Sequence, residues 1–415
     1  MKRWKKLLLF LLLLVVISQL PFAYRRYKLG RLNAAIQQLN SQRVVTEDSG
    51  LAEFKGVVHV HSSLGGHSSG SFEEIIAGAK SNRLNFVLMT EHTSDHFNTA
   101  AMTLNGDYDG VLFINGNEVN LPNSDHILLL PGLEASKSHA TSSYVIDAGD
   151  PNKLSLEDIV MRGRGKAGLT FVAYPQEFRG WDTSFYDGIE VYNLYTNARE
   201  INPLVMFFDG LWCYRSYPAL LFANFYRRPN ENLQKWDQKI ASNRRRLVAV
   251  AGNDAHANIG LSLQDDSGKS LVGLKLDPYE RSFRLVRLHV LLPKDQTFNR
   301  ESLLEAIGAG HAFIGFDLFG DSSGFSFSAS NGAEARIQGD EITLAKEVKL
   351  TVRIPVAARI VLLKDGTVVH DETGINKRDY TVTEKGSYRV ETYLPQLPKP
   401  AGDQPWIISN PIYVR

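Results

Sequence analysis

Gly56-Val-Val-His-Val-His-Ser62 is an apolar run that closes on two histidines one residue apart, and its reading decides the fold. Side chains two apart on a strand share a face, so His59 and His61 should present two imidazoles together. Other apolar runs end in the same way. Residues 85–90 lead into Thr90-Glu91-His92, 111–115 into Gly116-Asn-Glu-Val119, and 247–251 into Gly252-Asn-Asp-Ala-His256. His67 follows the first run and His126-Ile-Leu-Leu129 opens another. Imidazole and carboxylate are the ligands that borderline divalent metals prefer. His59, His61, His67, His92, Glu118, His126, Asp254 and His256 are therefore the candidate metal ligands.

The remaining pattern is that of an α/β chain. Residues 54–61, 85–90, 111–115, 126–130, 169–173, 188–191 and 247–251 read as buried strands. Residues 71–81 read as a helix capped by Ser71 with Glu74 three residues on. Alternation of strand and helix predicts a parallel α/β barrel, with His59, His61, His92, Glu118 and Asp254 at the carboxyl ends of strands, where such barrels do chemistry.

Over roughly residues 54–315 these motifs resemble the polymerase-and-histidinol-phosphatase (PHP) domain superfamily. The resemblance implies a distorted seven-stranded βα barrel with two or three divalent ions, Zn, Mn or Fe, and a metal-dependent hydrolase, in most members a phosphoesterase. It implies that His59, His61, Glu118 and Asp254 hold one ion. Glu118 would bridge to a second, which His126 also binds, and His67, His92 and His256 would hold a third. Asp254, Glu118 and His61 would then carry catalysis by generating a metal-bound hydroxide. Hydrolysis of a carboxylic ester, carbamate or amide is the alternative chemistry. A degenerate barrel kept as a binding or scaffold protein is the alternative without turnover. The substrate is expected to be a small or envelope-associated molecule.

The chain departs from the family pattern at two places. Thr90-Glu91-His92 stands where the family has Thr-Asp-His, and Tyr174, before Pro175, stands where it has a histidine that ligates the second ion. A phenol there ligates a harder ion such as ferric iron, leaves the position to water, or weakens the site. His139, Gln176 and Glu177 are the substitutes nearest in sequence. His96, His289, His311 and His370 read as surface or structural residues. Arg162, Arg164, Lys166, Arg179 and Arg199 read as solvated charges, any of which could clamp an anion.

A formal net charge of +1 provides no broad basic field, so long nucleic acid is not an expected partner. The single cysteine, Cys213, excludes an internal disulfide and a thiolate-rich metal site. At the amino terminus Lys2, Arg3, Lys5 and Lys6 precede an unbroken apolar stretch over 7–17 that continues less purely to 24. Residues 1–30 are read as a cytoplasmic basic start and a signal anchor crossing the lipid bilayer, with the catalytic domain outside the cytoplasm; secretion after signal cleavage is the alternative. Residues 31–52 follow as a juxtamembrane helix or stalk, 53–320 as the metallohydrolase domain, and 321–415 as a small antiparallel β-sandwich with a hairpin signal at Lys364-Asp-Gly-Thr367. An apolar insertion over 201–228 reads as a core helix pair, a lid, or a patch lying on the bilayer.

Overall fold

The computed structural model describes residues 3–45, 49–94, 96–121, 124–131, 168–183, 186–199, 202–224, 226–243, 245–258, 260–264 and 270–415. His139, Arg162, Arg164 and Lys166 lie outside the described residues. The chain is a mixed α/β protein with one large sheet and a long amino-terminal helix.

The strands nearest the candidate site are β1 (Leu51–Val60), β2 (Phe86–Met89), β3 (Glu91–His92), β4 (Gly106–Tyr108), β5 (Val111–Ile114), β6 (Asn117–Asn120), β7 (His126–Leu130), β8 (Leu169–Ala173), β9 (Gly188–Asn193) and β10 (Val248–Ala255). Parallel pairing runs β5–β2–β1–β10–β9–β8. β3 continues β2 across Thr90 and pairs parallel to β6, which continues β5, so with β7 between β6 and β8 the pairings form a closed circuit. Strands buried on both faces read as continuous apolar runs, and Val57, Val58, Val60, Phe86, Val87 and Leu88 are all fully buried.

The expectation of an all-parallel set is corrected at β7, which runs antiparallel to both neighbours. Only residues 121–125 separate β6 from β7, whereas a parallel connection needs a dozen or more. The reversal positions a candidate ligand. It brings His126, the first residue of β7, opposite Asn120 and Ala173 at the carboxyl ends of β6 and β8.

Beyond the circuit lie the hairpin β11 (Gly260–Gln264) and β12 (Ser270–Lys275), then β13 (Arg287–Pro293), antiparallel to β1, and β14 (Ala312–Gly315), antiparallel to β13. The carboxyl-terminal strands are β15 (Ser326–Ser330), β16 (Ala335–Ile337), β17 (Glu341–Ile342), β18 (Val348–Lys364), β19 (Thr367–Val382), β20 (Gly386–Tyr393), β21 (Pro405–Ser409) and β22 (Ile412–Val414). Their pairing is antiparallel except for β17 with β22, and β21 joins β14, which makes them part of the same sheet. Asp365 and Gly366, with φ of 49° and 82°, close the β18–β19 hairpin as the Asp-Gly signal predicts.

Helix α1 (Arg3–Ser41) begins with the apolar stretch, which is exposed throughout, and runs on through the segment read as juxtamembrane. It buries Leu29, near the end of the segment read as the anchor, and Leu32, Ile36 and Leu39 beyond it in the main core. Helix α2 (Phe72–Ser81) carries the capping box in full, Ser71 accepting from the Glu74 amide and Glu74 from that of Ser71.

His289, read as structural, is buried in β13 between Glu53 at 2.6 Å and Asp317 at 3.3 Å. Burial opposes its protonation, but Asp317 and Glu53 prevail and raise its pKa to about 9. A raised folded-state pKa gives stability that is fully present below about pH 6.5 and lost as pH rises through about 9, a contribution of about 3 kcal/mol. Denaturant unfolding should therefore show stability falling over that window. His289→Gln should flatten the decline, and an unchanged slope in the variant would assign the pH dependence elsewhere.

Candidate metal centre

His59 is the bulged residue of β1. The ladders to β2 and to β10 both skip it, passing from Val58 to Val60, and its φ is 65°. Tyr174 and Asp254 also stand on left-handed backbone, with φ of 47° and 46°. Such conformations cost of order 1–3 kcal/mol each in non-glycine residues and persist where surrounding structure imposes them, often at functional sites.

The bulge aims His59 at the same point as His61. The His59 Nε2 atom lies 3.2 Å from Glu118 Oε2 and 3.5 Å from Asp254 Oδ1, and the corresponding distances for His61 Nε2 are 3.3 and 3.4 Å. These four ligand atoms lie within 4.8 Å of one another, and all four side chains are buried. Among the described residues, neither ring nitrogen of His61 nor Asp254 Oδ1 has a hydrogen-bond partner. Buried polar atoms left this way are costly, and two imidazoles with two carboxylates are a donor set that Zn, Mn or Fe accepts. The residues fit a divalent cation.

Glu118 also reaches the other way, its Oε1 lying 2.7 Å from His126 Nδ1. One carboxylate thus faces His59 and His61 through Oε2 and His126 through Oε1. A further donor group consists of His61, His92 and His256, whose rings stack on His61 at 4.4 and 4.2 Å between centroids. The resemblance puts His67 in this triple. His67 is exposed and meets His92 edge-on at 5.0 Å, and the clustered donors are His61, His92 and His256. Burial first, and then the neighbouring His61, depress the pKa of His92 to about 3 and of His256 to about 4. Both rings are neutral near pH 7 and free to donate a lone pair.

Tyr174 packs edge-on against His126, with ring centroids 5.2 Å apart, and its hydroxyl donates to Asp254 Oδ2 at 2.6 Å. Burial and the carboxylates of Asp254, Glu118 and Glu190 push its pKa well above the ordinary phenol value. The phenol is therefore a neutral donor that fixes Asp254, leaving Oδ1 toward His59 and His61. Glu91 turns away from the donors. It accepts from the Ser62 amide and hydroxyl and from Thr103, pinning the loop after β1. Gln176, Glu177 and Arg179 are exposed, and Glu177 is not among the clustered donors.

The sequence reading missed Glu190. It lies in the middle of β9, fully buried, with Oε1 2.6 Å from His59 Nδ1. Burial raises its pKa, and it in turn, with Asp254 and Glu118, lifts that of His59 against the opposing effect of burial. A carboxylate holding Nδ1–H fixes the ring's tautomer and makes Nε2 a better ligand. Asn193 completes the support by donating to Glu190 Oε2 at 3.1 Å and to Asp254 Oδ2 at 3.3 Å. Space for the pair depends on Gly252, where a Cβ would fall 1.7 Å from Glu190 Oε1 and 2.9 Å from the His59 Cβ. The available signal was an acid inside the run Gly188-Ile-Glu-Val191, since Glu is almost never fully buried without a partner. Glu190→Gln should lower metal affinity about 10–100-fold with the fold retained, read by chelator competition. Unchanged affinity would show that His59 does not need this partner.

No protein-family model and no curated protein matches the chain. Among solved structures it is similar to a two-domain protein from Bacteroides vulgatus containing a predicted PHP-like metal-dependent phosphoesterase, at 14% identity and a TM-score of 0.37, covering 89% of this chain and 98% of that one. It is similar to PsfC from Pseudomonas syringae at 14% identity and a TM-score of 0.36, covering 64% and 91%. An amidohydrolase from Chromobacterium violaceum is similar at 16% identity and a TM-score of 0.28, covering 55% and 93%.

Proposed function

We propose that this chain is a membrane-anchored metallohydrolase of the PHP type that hydrolyses a phosphoester, with its catalytic part outside the cytoplasm. The observation that carries the reading is the overlap of two donor groups: His61 belongs to both, and Glu118 reaches His126 beyond them. We read the closed circuit of pairings as the distorted seven-stranded barrel, β2 with β3 and β5 with β6 each counting as one interrupted strand. Such a centre would take two or three cations.

In this reading His59, His61, Glu118 and Asp254 hold one cation, Glu118 and His126 a second, and His92 and His256 a third beside His61. When bound, divalent cations lower the pKa of water and polarise the substrate's oxygen. The chain's own contribution is orientation. Glu190 fixes the His59 ring, Tyr174 and Asn193 fix the Asp254 carboxylate, and the depressed pKa values of His92 and His256 keep them neutral. No cysteine or serine nucleophile is required.

The anchor reading rests on α1. Its apolar stretch is long enough to cross a bilayer and has no residue buried in the body. Trp4 and Tyr24, both exposed, stand about 30 Å apart along the helix, the thickness of a bilayer's hydrocarbon core, and aromatic residues favour both of its interfaces. We assign the basic start, Lys2 to Lys6, to the cytoplasmic side.

The test is a screen of the full chain, loaded with Mn or Zn, on phosphate monoesters and diesters alongside carboxylic esters, carbamates and amides. Phosphoester turnover that a chelator abolishes is the expected result. Turnover confined to carboxyl substrates would assign the alternative chemistry, and no turnover by the metal-loaded protein would favour a scaffold.

A further inference from the structure

The insertion that leaves β9 forms the helix Pro203–Cys213, started by Asn202, whose side chain accepts from the amides of Leu204 and Val205. Its two sides differ. Val205, Met206 and Asp209 line a cavity of 520 Å³ shared with Arg25, Lys28 and Tyr226. Leu204, Phe207 and Leu211 take no part in that lining and are 69%, 49% and 69% exposed. Spaced three and four apart, they make one apolar row along the helix. A row of large apolar side chains left in water is unusual for a helix of a folded domain.

The position of this row narrows what covers it. The helix packs alongside α1 at the level where the apolar stretch ends. Arg25 donates from Nε to Asp209 Oδ1 at 2.7 Å, Trp212 Nε1 to Gln19 Oε1 at 3.0 Å, Arg26 to Ser216 Oγ at 2.9 Å, and the Phe22 and Phe208 rings lie 4.8 Å apart. Contacts over residues 19–26 occupy about 10 Å of α1, comparable to the interfacial layer of a bilayer. The exposed apolar surface of residues 7–17 of α1 leads directly to this band. Arg25, Arg26 and Lys28, which follow the span, suit anionic headgroups at the same depth. A helix of 11 residues interrupted by Asp209 is too short to cross, but suits a position in the plane of the interface.

We propose that the helix Pro203–Cys213 is a second membrane contact, lying in the interface with Leu204, Phe207 and Leu211 in the acyl boundary of the leaflet that α1 enters. The bilayer is thus the occupant of this face. The proposal rests on reading α1 as an anchor. The two contacts together fix the orientation of the catalytic body on the membrane, because α1 alone would leave it free to rotate. The ion pair of Arg25 with Asp209 locks one contact to the other.

The experiment uses the full chain with Cys213→Ser, reconstituted in phosphatidylcholine–phosphatidylglycerol vesicles that carry doxyl-labelled lipid. Single cysteines from Leu204→Cys, Phe207→Cys, Leu211→Cys, Leu11→Cys and Val369→Cys each receive an environment-sensitive fluorophore. All these sites are exposed, so labelling leaves the packing intact. Labels at 204, 207 and 211 should be quenched at least twofold more than the label at 369, on the outer strand β19, with the label at 11 quenched most. Quenching at 11 but none above the 369 level at the three helix sites would overturn the proposal while leaving the anchor in place. A label at 11 that is no more quenched than at 369 would overturn the anchor reading and this inference with it.

Discussion

Asp254→Asn should lower hydrolysis by at least roughly 100-fold while circular dichroism and the unfolding midpoint stay near those of the wild type. The reason lies in the division of labour between the two oxygens. Oδ2 accepts from the Tyr174 hydroxyl, and Oδ1 faces His59, His61 and His256 at 3.3–3.5 Å. An amide of the same shape can satisfy only one side. If its oxygen meets Tyr174, its NH2 group is presented to the imidazoles, and a ligand is replaced by a donor. His61→Ala should be as damaging, since His61 belongs to both donor groups. Tyr174→Phe keeps every clustered donor and removes only the orienting hydroxyl, so its loss should be smaller, about 10-fold. Equal losses for Asp254→Asn and Tyr174→Phe would mean that the phenol does more than hold the carboxylate.

The largest expected effect on stability is at Arg389, far from the metal centre in function. Its guanidinium is fully buried in β20, donating to both oxygens of Asp237 at 2.9 and 2.8 Å and to Glu391 at 2.6 Å. Arg228 Nε reaches the same glutamate at 2.8 Å. Asp237 lies on the helix Asn230–Asn243, so the network ties the helix before β10 to the carboxyl-terminal strands. Removing one partner from a buried ionic network leaves uncompensated charge and costs about 3–5 kcal/mol, whereas replacing the whole set by apolar residues can be neutral. Arg389→Met should therefore lower the denaturant midpoint strongly. Arg389→Met combined with Asp237→Leu and Glu391→Leu should recover much of the loss. A single variant as stable as wild type would show that the network does not hold these elements together.

Much of the buried donor cluster was legible in the sequence, because apolar runs that stop at His61, Glu118 and Asp254 mark strand ends, and the structure brings these residues together. What the sequence concealed depends on partners distant in the chain. Glu190 acquires its role only from His59, and nothing in its own strand distinguishes it from a misplaced surface acid. The division of histidines between donor groups was also hidden, since His61 and His67 are set apart by the path of the loop that Glu91 pins through Ser62. Tyr174, the clear break in the ligand pattern, has its explanation in a hydroxyl that donates to Asp254, a residue distant in the chain. At the level of the fold, the strand positions followed from hydrophobic runs, whereas the reversal of β7 followed from the length of one connection. The exposed row on Pro203–Cys213 was visible as an apolar insertion, but which side of it is exposed is a property of packing.

Metal content tests the central claim most directly. The full chain, purified without chelators and analysed for Zn, Mn and Fe, should contain at least two equivalents of divalent metal, and Asp254→Asn should contain fewer. Less than one equivalent in the wild type, after incubation with each metal and removal of excess, would contradict the account.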